Sequence, residues 1–162
     1  MIDFDTPTNE AFEQLHARPP GQHWSQFDVP LDAARNGEAK VLVTTIWNKD
    51  WTKVGKRRQP TKPAISQDLV DGSLWYRNER PSSSESTNAK SHWDRLALAR
   101  ERSIRIIGVL KDFATSRCSM LDTFQCTEIR EDLSGDTVWL RLQPARPLDI
   151  DFEPGKRVRS LI

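Results

Sequence analysis

TFQCTEIREDLSGDTVWLRLQ, residues 123–143, is the stretch whose reading decides the class of fold. Two runs of strand-forming residues flank Leu133-Ser134-Gly135-Asp136, and the second run alternates. Val138, Leu140 and Leu142 point one way, Trp139 and Arg141 the other. A period of two on either side of a Ser-Gly-Asp turn predicts a β-hairpin with one face on a core. Upstream, IRIIGVL (104–110) is an apolar run of strand length. AKVLVTTIW (39–47) is rich in β-branched residues and reads as a strand buried on both faces. SLWYR (73–77) is a second, shorter strand, with Trp75 and Tyr76 on opposite faces, one of them exposed or at an interface.

Two helices fit between and before these strands. TNEAFEQLHAR (8–18) has Thr8 as a candidate N-cap, Phe12 and Leu15 on one face, and Pro19-Pro20-Gly21 as its stop. SHWD (91–94) has the capping-box form, with Ser91 as N-cap and Asp94 reaching back to its amide. The helix it starts places Trp93, Leu96, Ala97 and Arg100 on one face and leaves Arg95 and Arg102 on a basic, exposed side. The proline-bearing tail after Gln143 wraps the surface or adds an edge strand. The order predicts an α+β fold: one compact domain with a mostly antiparallel or mixed sheet of about five strands, open or barrel-like, and two helices. Residues 1–38 form an acidic segment on or beside that domain, which spans 39–162 and carries basic loops at 48–63 and 80–90. No internal repeat is present; QHWS (22–25) and SHWD (91–94) share His-Trp and nothing around it.

A chain of 162 residues can bury one core without disulfides. Its two cysteines, Cys118 and Cys126, match neither a CxxC motif nor a disulfide framework, so they read as reduced thiols in a cytoplasmic protein. MIDFDTPTNE (1–10) is acidic where a secretory signal is basic and then apolar. No apolar run reaches the roughly 20 residues of a membrane span, so no membrane partner is expected.

The net charge of +1 conceals an asymmetry. Residues 1–39 carry a net −5, residues 40–117 a net +8 and residues 118–162 a net −2. A basic middle attracts polyanions even when the whole chain is near neutral, unless the acidic ends fold back on it. The charge is densest in WNKDWTKVGKRRQPTK (47–62), which has six Lys or Arg against the single acid Asp50. Cations interleaved with tryptophan, glycine and proline make a loop able to hold phosphates and stack on bases. Lys49, Lys53, Lys56, Arg57, Arg58 and Lys62 are its candidate phosphate contacts, and Gly55 lets the backbone approach closely. Trp51, among polar neighbours, is the stacking candidate; Trp47, closing an apolar strand, is assigned to the core. The structural alternative has Trp51 covering a core edge while the cations solvate a long turn. A second candidate group is Trp75, Arg77, Arg80 and Lys90 around the hydroxyl-rich loop RPSSSESTNAK (80–90), with Arg95 on the following helix; a plain solvated linker is the competing reading.

The succession of a mixed sheet, long basic loops and a late hairpin resembles the small barrel-like domains that read modified bases in restriction systems. That resemblance implies a defence-related DNA- or RNA-binding role. Catalytic signals are sparse. Asp32, Glu38 and Lys40 resemble the Asp…Glu-x-Lys set of metal-dependent nucleases, with a shorter separation than that set uses. No histidine pair has metal-ligand spacing, and Gly-x-Gly and P-loop patterns are absent, so no metal or cofactor is expected. The expectation is a non-catalytic nucleic-acid-binding domain. A protein-interaction or inhibitor module using the same Trp/Arg surface and a metal-dependent nuclease are the alternatives.

Overall fold

The hairpin at 123–143 lies at the middle of a wide sheet. The computed structural model of the protein describes residues 2–17, 24–83 and 87–155. In chain order its elements are β1 (Thr6–Pro7), α1 (Thr8–Gln14), β2 (Ser25–Phe27), α2 (Leu31–Arg35), β3 (Val41–Trp47), β4 (Lys49–Val54), β5 (Arg57–Pro63), β6 (Ile65–Asp68), β7 (Leu74–Glu79), α3 (Thr87–Glu101), β8 (Arg105–Lys111), β9 (Arg117–Glu131), β10 (Thr137–Pro144) and β11 (Glu153–Gly155). The main sheet has nine strands in the order β11-β6-β7-β10-β9-β8-β3-β2, with β1 paired to β9, and β4-β5 form a separate two-stranded ribbon. β3 with β8 and β11 with β6 run parallel; the other pairs are antiparallel.

Side-chain alternation assigns the two faces. Leu42 and Ile46 of β3, Ile106 and Leu110 of β8, Phe124 of β9 and Leu140 and Leu142 of β10 meet Leu96 and Ala99 of α3 in the larger core. Val43 and Val109, one residue out of phase, point to the other face and pack with Ala11 and Phe12 of α1. This is the two-sided burial expected of β3. Gly108 makes the β3–β8 contact possible, because a Cβ there would sit 2.6 Å from Ile46 Cγ1. Val138, Leu140 and Leu142 share the core face, as their spacing predicted.

The main sheet curls without closing. β3 and β7 are separated in sheet order by three strands, yet the Trp47 amide donates to Tyr76 Oη at 3.4 Å, and the Ala64 amide to the Asn48 carbonyl at 3.2 Å. α3 spans the remaining seam through His92, whose Nδ1 lies 2.8 Å from Ser25 Oγ on β2 and whose Nε2 lies 2.9 Å from Asn78 Oδ1 on β7.

Several expectations are corrected. The sheet has nine strands rather than about five, it is not a closed barrel, and the described residues hold three helices rather than two. The unforeseen strands β1 and β2 span two and three residues, too few for alternation to register. The basic stretch is no loop: β4 and β5 pair antiparallel through a two-residue turn, with Gly55 at φ 65 in its first position, where such hairpins favour glycine. α1 has Pro7 as its N-cap, with no side-chain cap from Thr8, and its expected Pro19-Pro20-Gly21 stop lies outside the described residues. α3 begins at Thr87, so Ser91 and Asp94 lie inside the helix and form no capping box. Its buried stripe is Ala89, His92, Arg95, Leu96 and Ala99, displaced from the predicted Trp93 face. After Gln143 the tail does supply an edge strand, β11. Among the described residues no helix is long and apolar enough to cross a membrane.

Candidate functional site

The seam between β3 and β7 opens into a cleft of about 180 Å³. Four aromatic side chains line it: Trp24 before β2, Trp47 at the end of β3, Trp51 on β4 and Tyr76 on β7. Their polar neighbours in the cleft are Thr45, Asp50, Asn78 and His92, with Lys49, Arg58, Arg77 and Glu79 also contributing to its wall. The volume is below the roughly 300 Å³ at which drug-sized ligand pockets begin, so it suits one small planar group rather than a dinucleotide cofactor.

The rings are held by edge and face contacts. Trp24 packs against His92 at 5.6 Å between ring centroids, and Trp47 against Phe113 at 6.4 Å, both tilted. Cations cover one face of two indoles. The Arg58 guanidinium sits 4.5 Å from the centre of the Trp51 ring, and Lys111 Nζ 4.6 Å from that of Trp47. Burial lowers the Lys111 ammonium from its usual range.

Asp50 lies where the β4–β5 register shifts between Lys49 and Trp51, an irregularity of the kind that re-aims a side chain. Its carboxylate faces Arg77 at 3.6 Å. Burial raises its pKa, opposed in part by the Arg77 and Lys62 charges. Burial also raises the Tyr76 phenol. His92 is fully enclosed and lowered to about 3, first by burial and then by the Arg95 charge, so the ring is neutral at pH 7. With Asn78 Oδ1 accepting at Nε2, the proton belongs on Nε2, and Ser25 Oγ donates to Nδ1. The opposite end of the Asn78 amide, Nδ2, is buried and has no partner among the described residues. A buried donor left unpaired costs about 1–3 kcal/mol, and Gln26 Nε2 and Arg95 Nη1 are also left without a partner among the described residues.

The predicted site residues divide into three groups. Lys49, Trp51, Arg58 and Arg77 come together at the cleft. Lys53, Lys56 and Arg57 stand on the outer part of the β4–β5 ribbon, where both strands are exposed, and make no ion pair among the described residues; Lys62 is exposed nearer the root, next to Pro63, which pairs with Lys49. The remaining four lie elsewhere. Trp75 is 3% exposed, on the far face of β7, beneath Arg130 and Arg141. Arg80 donates to the Gly135 carbonyl, faces Asp136 at 3.5 Å and covers Trp93. Lys90 Nζ donates to the Ser83 carbonyl. Arg95 is 8% exposed on the buried side of α3, not on a basic outer face. The acidic C-terminal third does fold onto part of the basic middle, through Arg80–Asp136 and Arg100–Glu131, and among the described residues no ion pair reaches Lys53, Lys56 or Arg57.

Trp24, Trp47, Tyr76, Asp50, Asn78 and His92 belong to the cleft and were not read as site residues. Trp47 is half-buried at the cleft rather than a core residue. Two segments far apart in the chain meet here, since Trp24 and Ser25 both touch His92. His23 itself lies outside the described residues. Asp32, of the nuclease-like set, is exposed on α2 and faces Arg35 at 3.7 Å. No three His, Cys, Asp or Glu side chains among the described residues gather where they could hold a metal ion.

A larger depression of about 650 Å³ lies around Gln67, Leu74, Glu128, Arg141 and Phe152. Its charges are already joined, Arg141 to Glu128 at 2.9 Å, and it lacks the aromatic walls of the cleft.

Comparison with known proteins finds no matching family model, no matching curated protein and no matching solved structure.

Proposed function

We propose that this protein is a nucleic-acid-binding domain without a catalytic centre, in which the β4–β5 ribbon grips phosphates and the cleft at its root stacks a base. The carrying observation is one continuous surface: Lys53, Lys56 and Arg57, exposed and in no ion pair among the described residues, lead through Arg58 and Trp51 into a cleft walled by Trp24, Trp47 and Tyr76. Exposed cations on a projecting two-stranded ribbon suit a phosphate backbone, and such a ribbon also fits the width of a duplex major groove. Aromatic walls next to those cations add stacking, which every base can supply. Both cysteines are free, as fits a reducing cytoplasm.

The test is a fluorescence-anisotropy series with single-stranded, duplex and base-modified DNA and RNA at two salt concentrations. The expected result is binding that weakens steeply with salt, because each neutralised phosphate releases counterions. Binding that is absent, or insensitive to salt, sinks this reading and favours a protein-interaction surface built from the same Trp and Arg residues.

A further inference from the structure

The cleft has a polar edge as well as aromatic walls. Asn78 is 8% exposed, its Oδ1 is engaged by His92, and its Nδ2 donor is left over. Asp50 contributes an ionisable acceptor from β4, on the other side of the seam. Ser25 and His92 stand behind Asn78: the Ser25 hydroxyl meets His92 Nδ1, and His92 Nε2 meets Asn78 Oδ1, which leaves the Nδ2 end of the amide over. The site therefore offers one acceptor, Asp50, between stacking surfaces and, in its buried wall, one donor without a partner among the described residues.

Two kinds of planar or rounded ligand suit aromatic walls: an uncharged heterocycle or a methylated ammonium. The second needs open π faces and an unpaired anion. Here Arg58 and Lys111 already cover Trp51 and Trp47, and Arg77 stands 3.6 Å from Asp50. Arg77 also pairs with Glu79, the other carboxylate of the cleft, at 3.2 Å, so a cationic ligand would compete with a resident guanidinium for both acids, whereas a neutral ring would not.

We infer that the cleft takes a single uncharged nucleobase, swung out of its strand, and reads its hydrogen-bonding edge through Asp50 as acceptor and Asn78 Nδ2 as donor. This rests on the nucleic-acid reading above and assigns the base-recognition residues within it. Asp50 receives an N–H of the base and Asn78 donates to a ring nitrogen or carbonyl beside it. Ser25 and His92 are positioning residues, acting only through Asn78.

The experiment holds the phosphates constant. Short single strands of abasic residues are prepared with one central base, with the nonpolar isostere of that base, or with no base, and titrated by anisotropy and tryptophan quenching. The best of the four bases should bind at least about tenfold more tightly than the wholly abasic strand. The isostere should lose about tenfold of that gain, since one correctly paired edge discriminates by that order. Asp50→Asn should shrink the gap between base and isostere to about twofold, a comparison made within the variant because losing the charge beside Arg77 also tightens its hold on every strand. Asn78→Asp, which exchanges donor for acceptor at constant shape, should change which base is preferred; Asp50→Asn keeps the test open if that variant does not fold. Equal binding with and without the base overturns the inference yet leaves the phosphate-gripping ribbon standing. Base and isostere binding alike overturns the edge readout and leaves stacking. Failure of every strand to bind, with or without quenching by a trimethyl-lysine peptide, overturns both readings.

Discussion

Trp51 and Trp75 each lie under a guanidinium, and they differ in what happens to the charge. Over Trp75 stand Arg130 at 5.2 Å and Arg141 at 5.9 Å, and both reach Glu128, at 2.6 and 2.9 Å. The Trp75 indole N–H donates to Ser73 Oγ at 2.8 Å, so the ring's polar atom is also satisfied. Those hydrogen bonds hold the Glu128 carboxyl below its usual range, Arg130 contributing most. The group is electrically closed. Over Trp51 stands Arg58, on a ribbon whose neighbouring Lys56 and Arg57 are exposed, and the ring borders an open cleft. A cation above an indole is therefore not in itself a binding signature. It becomes one when no carboxylate completes the pair and the aromatic surface remains reachable.

Four measurements would break or sharpen that contrast. Trp75→Ala should destabilise the fold by about 3–5 kcal/mol, as for a large ring removed from an interior, and leave affinity for nucleic acid unchanged in the molecules still folded. A melting temperature close to that of the parent would show Trp75 to be no part of the framework.

Reversing Lys56, Arg57 and Arg58 to Glu should weaken binding by about a hundredfold at moderate salt and flatten the salt dependence, because several phosphate contacts are lost together. The ribbon's outer strands contribute nothing to either core, so the melting temperature should stay close to the parent's. Unaltered affinity in a folded triple variant would remove the ribbon from the interface.

Trp51→Ala should cost about 1–3 kcal/mol of binding, the worth of one stacked base, with less than about 1 kcal/mol of stability lost. Should Trp51 instead prove the more destabilising of the two tryptophans to remove, the distinction between a closed and an open cation–aromatic pair would fail.

The smallest effect per step of the measurement concerns the cleft floor. His92 is held at about 3 in the folded protein against 6.5 when exposed. Between those two values the unfolded chain carries a proton that the folded chain lacks. Stability from this group is therefore intact above pH 6.5 and declines as the pH falls toward 3. One proton gives a slope of up to about 1.4 kcal/mol per pH unit. Denaturant unfolding at successive pH values should show that slope in the parent and a shallower one in His92→Gln. Identical slopes would mean that His92 is not buried as a neutral ring.

The strands with strong side-chain patterns were legible along the chain. β3, β8 and the β9–β10 hairpin each carry runs of apolar or alternating residues that have one stable arrangement, with the apolar set on a core. The ribbon was legible in its charge and not in its form. Arg57 to Pro63 holds two prolines and, apart from them, only polar or charged residues, and nothing in that pattern announces a strand. What shapes it is backbone pairing to β4 through the Gly55 turn. α3 was legible as a helix and misread in orientation. Its buried stripe includes His92 and Arg95, two residues that hydropathy places outside.

The sequence by itself determined the α+β class, the alternating hairpin, the doubly buried central strand and the concentration of cations between Trp47 and Lys62. Each of these rests on interactions within a few residues of chain, where side-chain period and charge density carry the information. Tertiary structure alone decided which aromatics surround a cavity. Trp24, Trp47, Trp51 and Tyr76 come from four separate segments, and they meet because the main sheet curls until β3 and β7 almost touch, with His92 crossing the gap between Ser25 and Asn78. No local pattern encodes that meeting, because it depends on how far a nine-stranded sheet coils around its core, with helix α3 spanning the seam that is left.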